Sequence, residues 1–143
     1  MSYDFIFMRL SPTPPPGAVS ERVNDEAAQQ PIASLAPLCE ALRSSALGAP
    51  GAIRVDADER FTWRTPDGGQ IEVSAVASIV SLHMHAHWSH AAQLFDLARG
   101  LWPDVVLLDL QQDKLHDAAS FQEAIARNDL EMAAYRARRD AGA

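Results

Sequence analysis

Hydrophobic and polar positions alternate along the chain in short blocks, which predict strands and helices in an irregular order. The first block, 3–10 (YDFIFMRL), is apolar on both faces, which favours a strand inside a sheet rather than at its rim. The following SPTPPPG ends this strand, because proline cannot donate a hydrogen bond to a sheet ladder. We therefore expect residues 11–33 to be a proline-rich, polar connector, with either a short helix or a loop in its second half.

Three later segments have the 3.6-residue apolar period that is typical of amphipathic helices. The first covers 34–48, the second covers 89–102 and is stopped by Pro103, and the third begins near Ser120 and runs into RARR. Capping preferences place the three N-caps at Ser34, Ser89 and Ser120. The third helix is predicted to bury the side chains of Phe121, Ile125 and Met132.

The remaining apolar segments have strand character. Residues 52–73 predict two or three short strands joined by a hairpin turn at 66–69 (PDGG). A tight turn or bulge near 77–78 should precede a strand over 79–86. Four consecutive apolar residues, 105–108, predict the most buried strand.

Together these elements predict an α+β fold. We expect a single domain over 1–143, with an antiparallel or mixed sheet of about four to six strands and two or three helices packed on one face. Residues 139–143 are predicted to be a frayed tail.

Composition narrows the class of protein. Hydrophobic residues make up 48% of the chain, but no apolar run approaches the roughly 20 residues that span a bilayer. The first residues lack the basic segment of a secretion signal, and the single cysteine cannot form an internal disulfide. These features predict a cytoplasmic protein without membrane association. Cys39, on the first helix, is expected to be a buried thiol rather than a nucleophile.

The charge is acidic. Lys and Arg total 12 against 19 Asp and Glu, a formal net charge of −7. An acidic body repels phosphate backbones, which argues against nucleic-acid binding and suits a protein partner with a basic surface.

Residues 81–90 (SLHMHAHWSH) contain the most distinctive chemistry of the chain. His83, His85 and His87 alternate, so a continuous strand would place all three on one face, where histidines can bind zinc. The other interpretation is a strand whose opposite face, Leu82 and Met84, packs on the core while the histidines face solvent. We favour this second interpretation, because no H-E-x-x-H or C-x-x-C motif accompanies the cluster.

No complete catalytic motif is present. The chain lacks G-x-S-x-G, P-loop and G-x-G-x-x-G patterns. Four aspartates around the last strand are expected to form a solvated acidic rim: Asp104, Asp109, Asp113 and Asp117. The sequence therefore predicts a protein that is not an enzyme and has no cofactor; the alternative is a metal-dependent enzyme with zinc at His83, His85 and His87.

The segments MSYDFIF, SHAAQLFDLARGLW and VVLLDLQQDKL resemble those of small bacterial cytosolic proteins. Many proteins of that class are immunity proteins of polymorphic toxin systems, which bind and block a toxin from a neighbouring cell. The resemblance covers about half of the chain and rests on structural motifs. It implies a protein partner, a toxin domain, but assigns no functional residue.

We therefore predict a cytosolic immunity protein. An apolar or aromatic centre with an acidic rim would suit such a contact, and the candidate binding residues are Asp56, Asp58, Glu59, Trp63 and Trp88. A small acidic secretion chaperone or adaptor is a further alternative, and it predicts a homodimer with an extended client. The sequence leaves the oligomeric state open.

Overall fold

The structure, a computed structural model, describes residues 3–11, 13–17, 29–76 and 78–142. Within these ranges the chain forms strands and helices that all join one sheet-and-helix assembly. The strands are β1 (Tyr3–Leu10), β2 (Gln29–Gln30), β3 (Ile53–Ala57), β4 (Arg60–Arg64), β5 (Gln70–Val76), β6 (Ile79–His85), β7 (Val105–Asp109) and β8 (Lys114–His116). The helices are α1 (Ala36–Ser44), α2 (Trp88–Leu101) and α3 (Ala118–Ala141).

The strand β1 lies inside the sheet, between β6 and β7. Seven strands follow the order β3–β4–β5–β6–β1–β7–β8, and β2 pairs with the end of β1. All pairings are antiparallel. Phe5 and Phe7 are buried on one face of β1, and Met8 and Leu10 on the other. The prediction of a strand inside the sheet is therefore confirmed.

The helices pack on a single face of this sheet. Leu38 of α1, Leu94 of α2 and Phe121 of α3 belong to the same buried cluster as Phe5 and Phe7. The α+β prediction is confirmed, and the sheet is antiparallel and wider than four to six strands. The extra width comes partly from β8, a three-residue strand too short to show a hydrophobic period. No helix among the described residues is long and apolar enough to cross a membrane.

The helix starts differ from the predicted caps. His87 caps α2, because its ring Nδ1 accepts from the backbone N–H of Ser89. Asp117 caps α3 and forms a capping box with Ser120. Ser34 lies one residue before the N-cap of α1, and its hydroxyl accepts from the Ala36 N–H. The predicted N-caps were therefore wrong by one to three residues, although each of these serines forms a hydrogen bond in the first turn of its helix.

The last helix departs most from its prediction. Phe121 and Ile125 are buried as expected, but Met132 is 38% exposed, so its inward placement was wrong. The helix runs past the sheet, which leaves its second half without a surface to cover. It also continues to Ala141, two residues beyond Arg139, so a tail frayed from residue 139 was wrong as well.

The connector is only partly within the described residues. Gly17 forms a bridge with Leu115 of β8, and Gln29 and Gln30 form β2. Residue 12 lies outside the described ranges, and so do residues 18–28, which are most of the 18–33 segment where a short helix or a loop was predicted.

Candidate binding groove and histidine strand

A groove of about 510 Å³ lies between α1 and the β3–β4 hairpin. Its floor includes three buried side chains, Leu35 and Cys39 from the helix side and Phe61 from β4. Val55 of β3 also lines it and is 51% exposed. The groove exists because the sheet is wider than the helix layer, so apolar positions of the edge strand β3 stay uncovered.

The rim of the groove is charged. Asp58 and Glu59 form the tip of the β3–β4 hairpin, and both are exposed beside Arg60. On the opposite wall Glu40 accepts from Arg43 at 3.0 Å. Two of the predicted binding residues, Asp58 and Glu59, are thus adjacent to an accessible apolar floor.

The other three candidate binding residues lie elsewhere. Asp56 is engaged away from the groove, with Arg54 Nε at 2.9 Å and the Thr62 hydroxyl at 3.3 Å. Trp88 is half-buried against the rings of Tyr3 and Phe5. The five candidates therefore do not form one surface.

Trp63 was wrongly predicted as a surface residue. Its side chain is 0% exposed, its Nε1–H donates to the Leu47 carbonyl, and its ring meets His90 edge-on at 5.7 Å. Strand alternation places Trp63 on the same face of β4 as Phe61, and that face is the core.

The cysteine in the groove floor is a buried thiol, as predicted. Cys39 is 6% exposed, and burial raises its pKa. A raised pKa reduces the thiolate fraction that nucleophilic chemistry requires. Cys39 therefore contributes apolar surface to the groove.

The histidine strand follows the favoured interpretation up to His85. Leu82 and Met84 are buried under the helices, while His83 and His85 project from the opposite face with ring centroids 4.7 Å apart. The Nδ1 atom of His83 lies 2.6 Å from a carboxylate oxygen of Asp4 on β1. These two histidines are neighbours on an accessible polar face.

His87 does not join them, because β6 ends at His85. Its Nδ1 contacts the start of α2, and its Nε2 lies 2.7 Å from an Asp129 oxygen of α3. The Ser89 hydroxyl is 2.8 Å from the same Nδ1, so a Ser–His–Asp chain forms at the surface. Because Nδ1 also accepts the Ser89 N–H, the arrangement is explained by helix capping and by a tie between α2 and α3.

The three-histidine set of the alternative interpretation is therefore not assembled. Among the described residues no group of three or more His, Cys, Asp or Glu is placed to hold a metal ion. The geometric reason is the end of the strand: His87 turns into the helix cap instead of continuing the alternation.

A second polar network joins the 66–69 turn to α2. One Asp67 oxygen accepts from the Thr65 hydroxyl at 2.5 Å and from the Gly69 N–H at 3.3 Å. The other lies 3.2 Å from Nε2 of the buried His90. These bonds, that of Thr65 foremost, hold the pKa of Asp67 far below its usual range.

We expect acid to remove stability through Asp67. Its folded-state pKa lies below the unfolded value of about 3.9, so the unfolded chain takes up the proton first. The stabilisation is fully present above the unfolded pKa and is lost as pH falls through the folded value. The free energy of unfolding, measured with urea at about pH 6 and about pH 3, should fall more between these two pH values for the wild type than for Asp67→Asn. Equal drops would contradict this assignment.

A buried carboxylate, that of Asp109, lies at the end of β7. Asp109 is 2% exposed; both its oxygens accept from the Tyr3 hydroxyl at 2.8 Å, and one also accepts from two backbone N–H groups. Burial and this carboxylate raise the pKa of Tyr3, and burial lowers the pKa of nearby His116. Asp109 was wrongly placed in a solvated rim, because it caps the turn that follows β7.

Sequence reasoning missed Val55 and Phe61 as groove residues. The alternation in IRVDA places Val55 on the helix-facing side of β3, and that signal was available. The missing information was that α1 stops short of this edge strand, which depends on the width of the whole sheet.

Comparisons with protein-family models and with curated proteins found no relative of this chain. The resemblance to immunity proteins therefore stays a hypothesis that rests on the segments named above.

Proposed function

We propose that this chain is a binding protein of the immunity type, which occludes a cognate toxin and uses the α1–β3–β4 groove as its contact surface. The observation that carries this proposal is the accessible side chain of Val55 beside a buried apolar floor, bordered by the acidic tip of a hairpin. A contact with an apolar centre and a charged rim has the composition of a specific protein interface. The groove supports a site of protein contact on a domain without a recognised catalytic motif.

The floor of the groove is preorganised for binding. Phe61, Leu35 and Cys39 are fixed by the core on their inner sides, so a partner need not order them. Val55 supplies an accessible apolar anchor in the same depression. Affinity in this proposal comes mainly from burying Val55, because the floor side chains are already buried.

The charged rim favours a basic partner. The rim holds three carboxylates, Asp58, Glu59 and Glu40, against two guanidiniums, Arg43 and Arg60, on a chain whose net charge is −7. Exposed charges of this kind speed association with an oppositely charged surface and favour the correct partner. A toxin domain with basic side chains around an apolar protrusion is the partner that this surface fits.

The first experiment is protection and binding with the toxin encoded beside the gene. Cells that express the toxin should survive when this protein is co-expressed, and the purified pair should bind. Val55→Asp should weaken binding by about tenfold or more, because it places a charge in the apolar floor. Asp58→Asn with Glu59→Gln should mainly slow association and reduce its salt dependence.

Val76→Asp is the matched control, because Val76 is 73% exposed on β5 and outside the groove. It should bind and protect as the wild type does. Absence of protection against any neighbouring toxin would reject the proposed function. Protection that survives Val55→Asp would keep the function and reject the groove as its contact surface.

A further inference from the structure

The second half of α3, residues 127–141, forms an arm that extends beyond the sheet. Ile125 is the last buried residue of the helix, and every residue from 131 to 142 is exposed. Fifteen residues at 1.5 Å each give an arm about 22 Å long. Isolated helices of this length are marginal in water, so an arm that is tied to the body at its base by Asp129 and His87 and is exposed beyond that point needs a further source of stability.

One face of the arm continues the buried stripe of the helix. Phe121 and Ile125 contact the core, and helical spacing places Met132 and Tyr135 on the same side, 38% and 53% exposed. Leu130, 72% exposed, lies on the opposite side. Met132 and Tyr135 are side chains of the kind that pack in an interface, but no other described part of the chain covers them.

The charges of the arm are divided along its length. Its first half holds Arg127, Asp129 and Glu131, a formal charge of −1, and its second half holds Arg136, Arg138, Arg139 and Asp140, a formal charge of +2. Without the three arginines of the second half, the rest of the chain is three charges more acidic than the −7 of the whole. The basic end of the arm therefore complements the base of the arm and the body of another copy.

We propose that two copies of this chain pair through their arms in antiparallel orientation, with the Met132–Tyr135 stripe at the centre. When the two-fold axis lies level with Ala133 and Ala134, Met132 of one copy is level with Tyr135 of the other. A thioether beside an aromatic ring is a favourable contact. Parallel arms would instead bring the arginines of both copies together.

The same geometry defines two ionic contacts. Helical spacing puts Asp129 and Arg136 on one flank of the stripe and Glu131 and Arg138 on the other. In the antiparallel pair Glu131 lies about 3 Å along the axis from Arg138 of the other copy, and Asp129 is related in the same way to Arg136. In a parallel pair Glu131 would instead lie close to Asp129 of the other copy.

Sedimentation of the full chain over a range of concentrations tests this pairing. We expect a reversible dimer in the micromolar range, because the contact is small. Tyr135→Asp should weaken it by about tenfold or more, whereas Leu130→Asp, the matched control on the opposite face, should leave it unchanged. Circular dichroism spectra with the same helix content as the wild type would show that the variants remain folded.

A charge exchange tests the orientation. Glu131→Arg alone should weaken the dimer, and the double variant Glu131→Arg with Arg138→Glu should restore it. A monomer at every concentration overturns the proposal, as does equal loss from Tyr135→Asp and Leu130→Asp. A dimer strengthened by Glu131→Arg overturns the antiparallel orientation. The pairing is independent of toxin binding, so neither test decides the other.

Discussion

Phe5→Ala is expected to lower the free energy of unfolding by about 3–5 kcal/mol. Phe5 is 0% exposed on the interior strand β1, and its ring meets the rings of Trp88 and Phe121 edge-on at 5.0 and 5.1 Å. Truncation would leave a cavity beneath two helices that cannot close it by moving together. The loss is a large part of the 5–15 kcal/mol by which a domain is usually stable.

Urea unfolding monitored by circular dichroism measures this loss directly. Leu110→Ala is the control, because Leu110 is 56% exposed and its truncation should change the free energy by less than about 0.5 kcal/mol. Phe5→Leu keeps an apolar side chain, so its loss of unfolding free energy should lie between those of Phe5→Ala and Leu110→Ala. A Phe5→Ala variant within about 1 kcal/mol of the wild type would show that the aromatic cluster is not the centre of the core.

Asp109→Ala should cost about 2–4 kcal/mol, the second large effect. The substitution removes the acceptor of the Tyr3 hydroxyl and of the backbone N–H groups of Gln111 and Gln112. Donors left without an acceptor inside a protein cost more than the hydrogen bonds themselves contribute. Asp109→Asn keeps one carbonyl oxygen and should cost less than Asp109→Ala.

Tyr3→Phe completes a double-mutant cycle with Asp109→Ala. Because the hydroxyl and the carboxylate contact each other at 2.8 Å, the two losses should be less than additive. Strict additivity would mean that the Tyr3–Asp109 bond does not contribute to stability, whatever the two residues contribute separately.

Much of the fold could be predicted where one local signal dominates. β1 and β7 are apolar on both faces, and such strands have no stable position other than the middle of a covered sheet. The turn at 66–69 followed from Pro, Asp and Gly, whose backbone preferences act over four residues. These elements do not depend on distant parts of the chain.

The candidate site depends on how distant segments of the chain pack together, and the sequence predicted only some of its residues. His87 looked like the third member of an alternating set, but the end of β6 and the demand of α2 for a cap redirected it. Trp63 matched the profile of an interface anchor, although its alternation with Thr62 already placed it beside Phe61. The groove arises from the difference in width between two layers, a quantity that no single segment contains.

The position of β1 between β6 and β7 has a consequence for synthesis of the protein. Phe7 pairs with Val80 on one side and with Leu107 on the other. At roughly 5–20 residues per second, the ribosome needs several seconds to make the second of these partners. Until Val80 is made the nascent chain carries β1 without either neighbour, and until Leu107 is made it carries β1 with only β6 available. Folding of the sheet is therefore a late event in translation, and β1 is a target for chaperones that bind extended apolar segments during that interval.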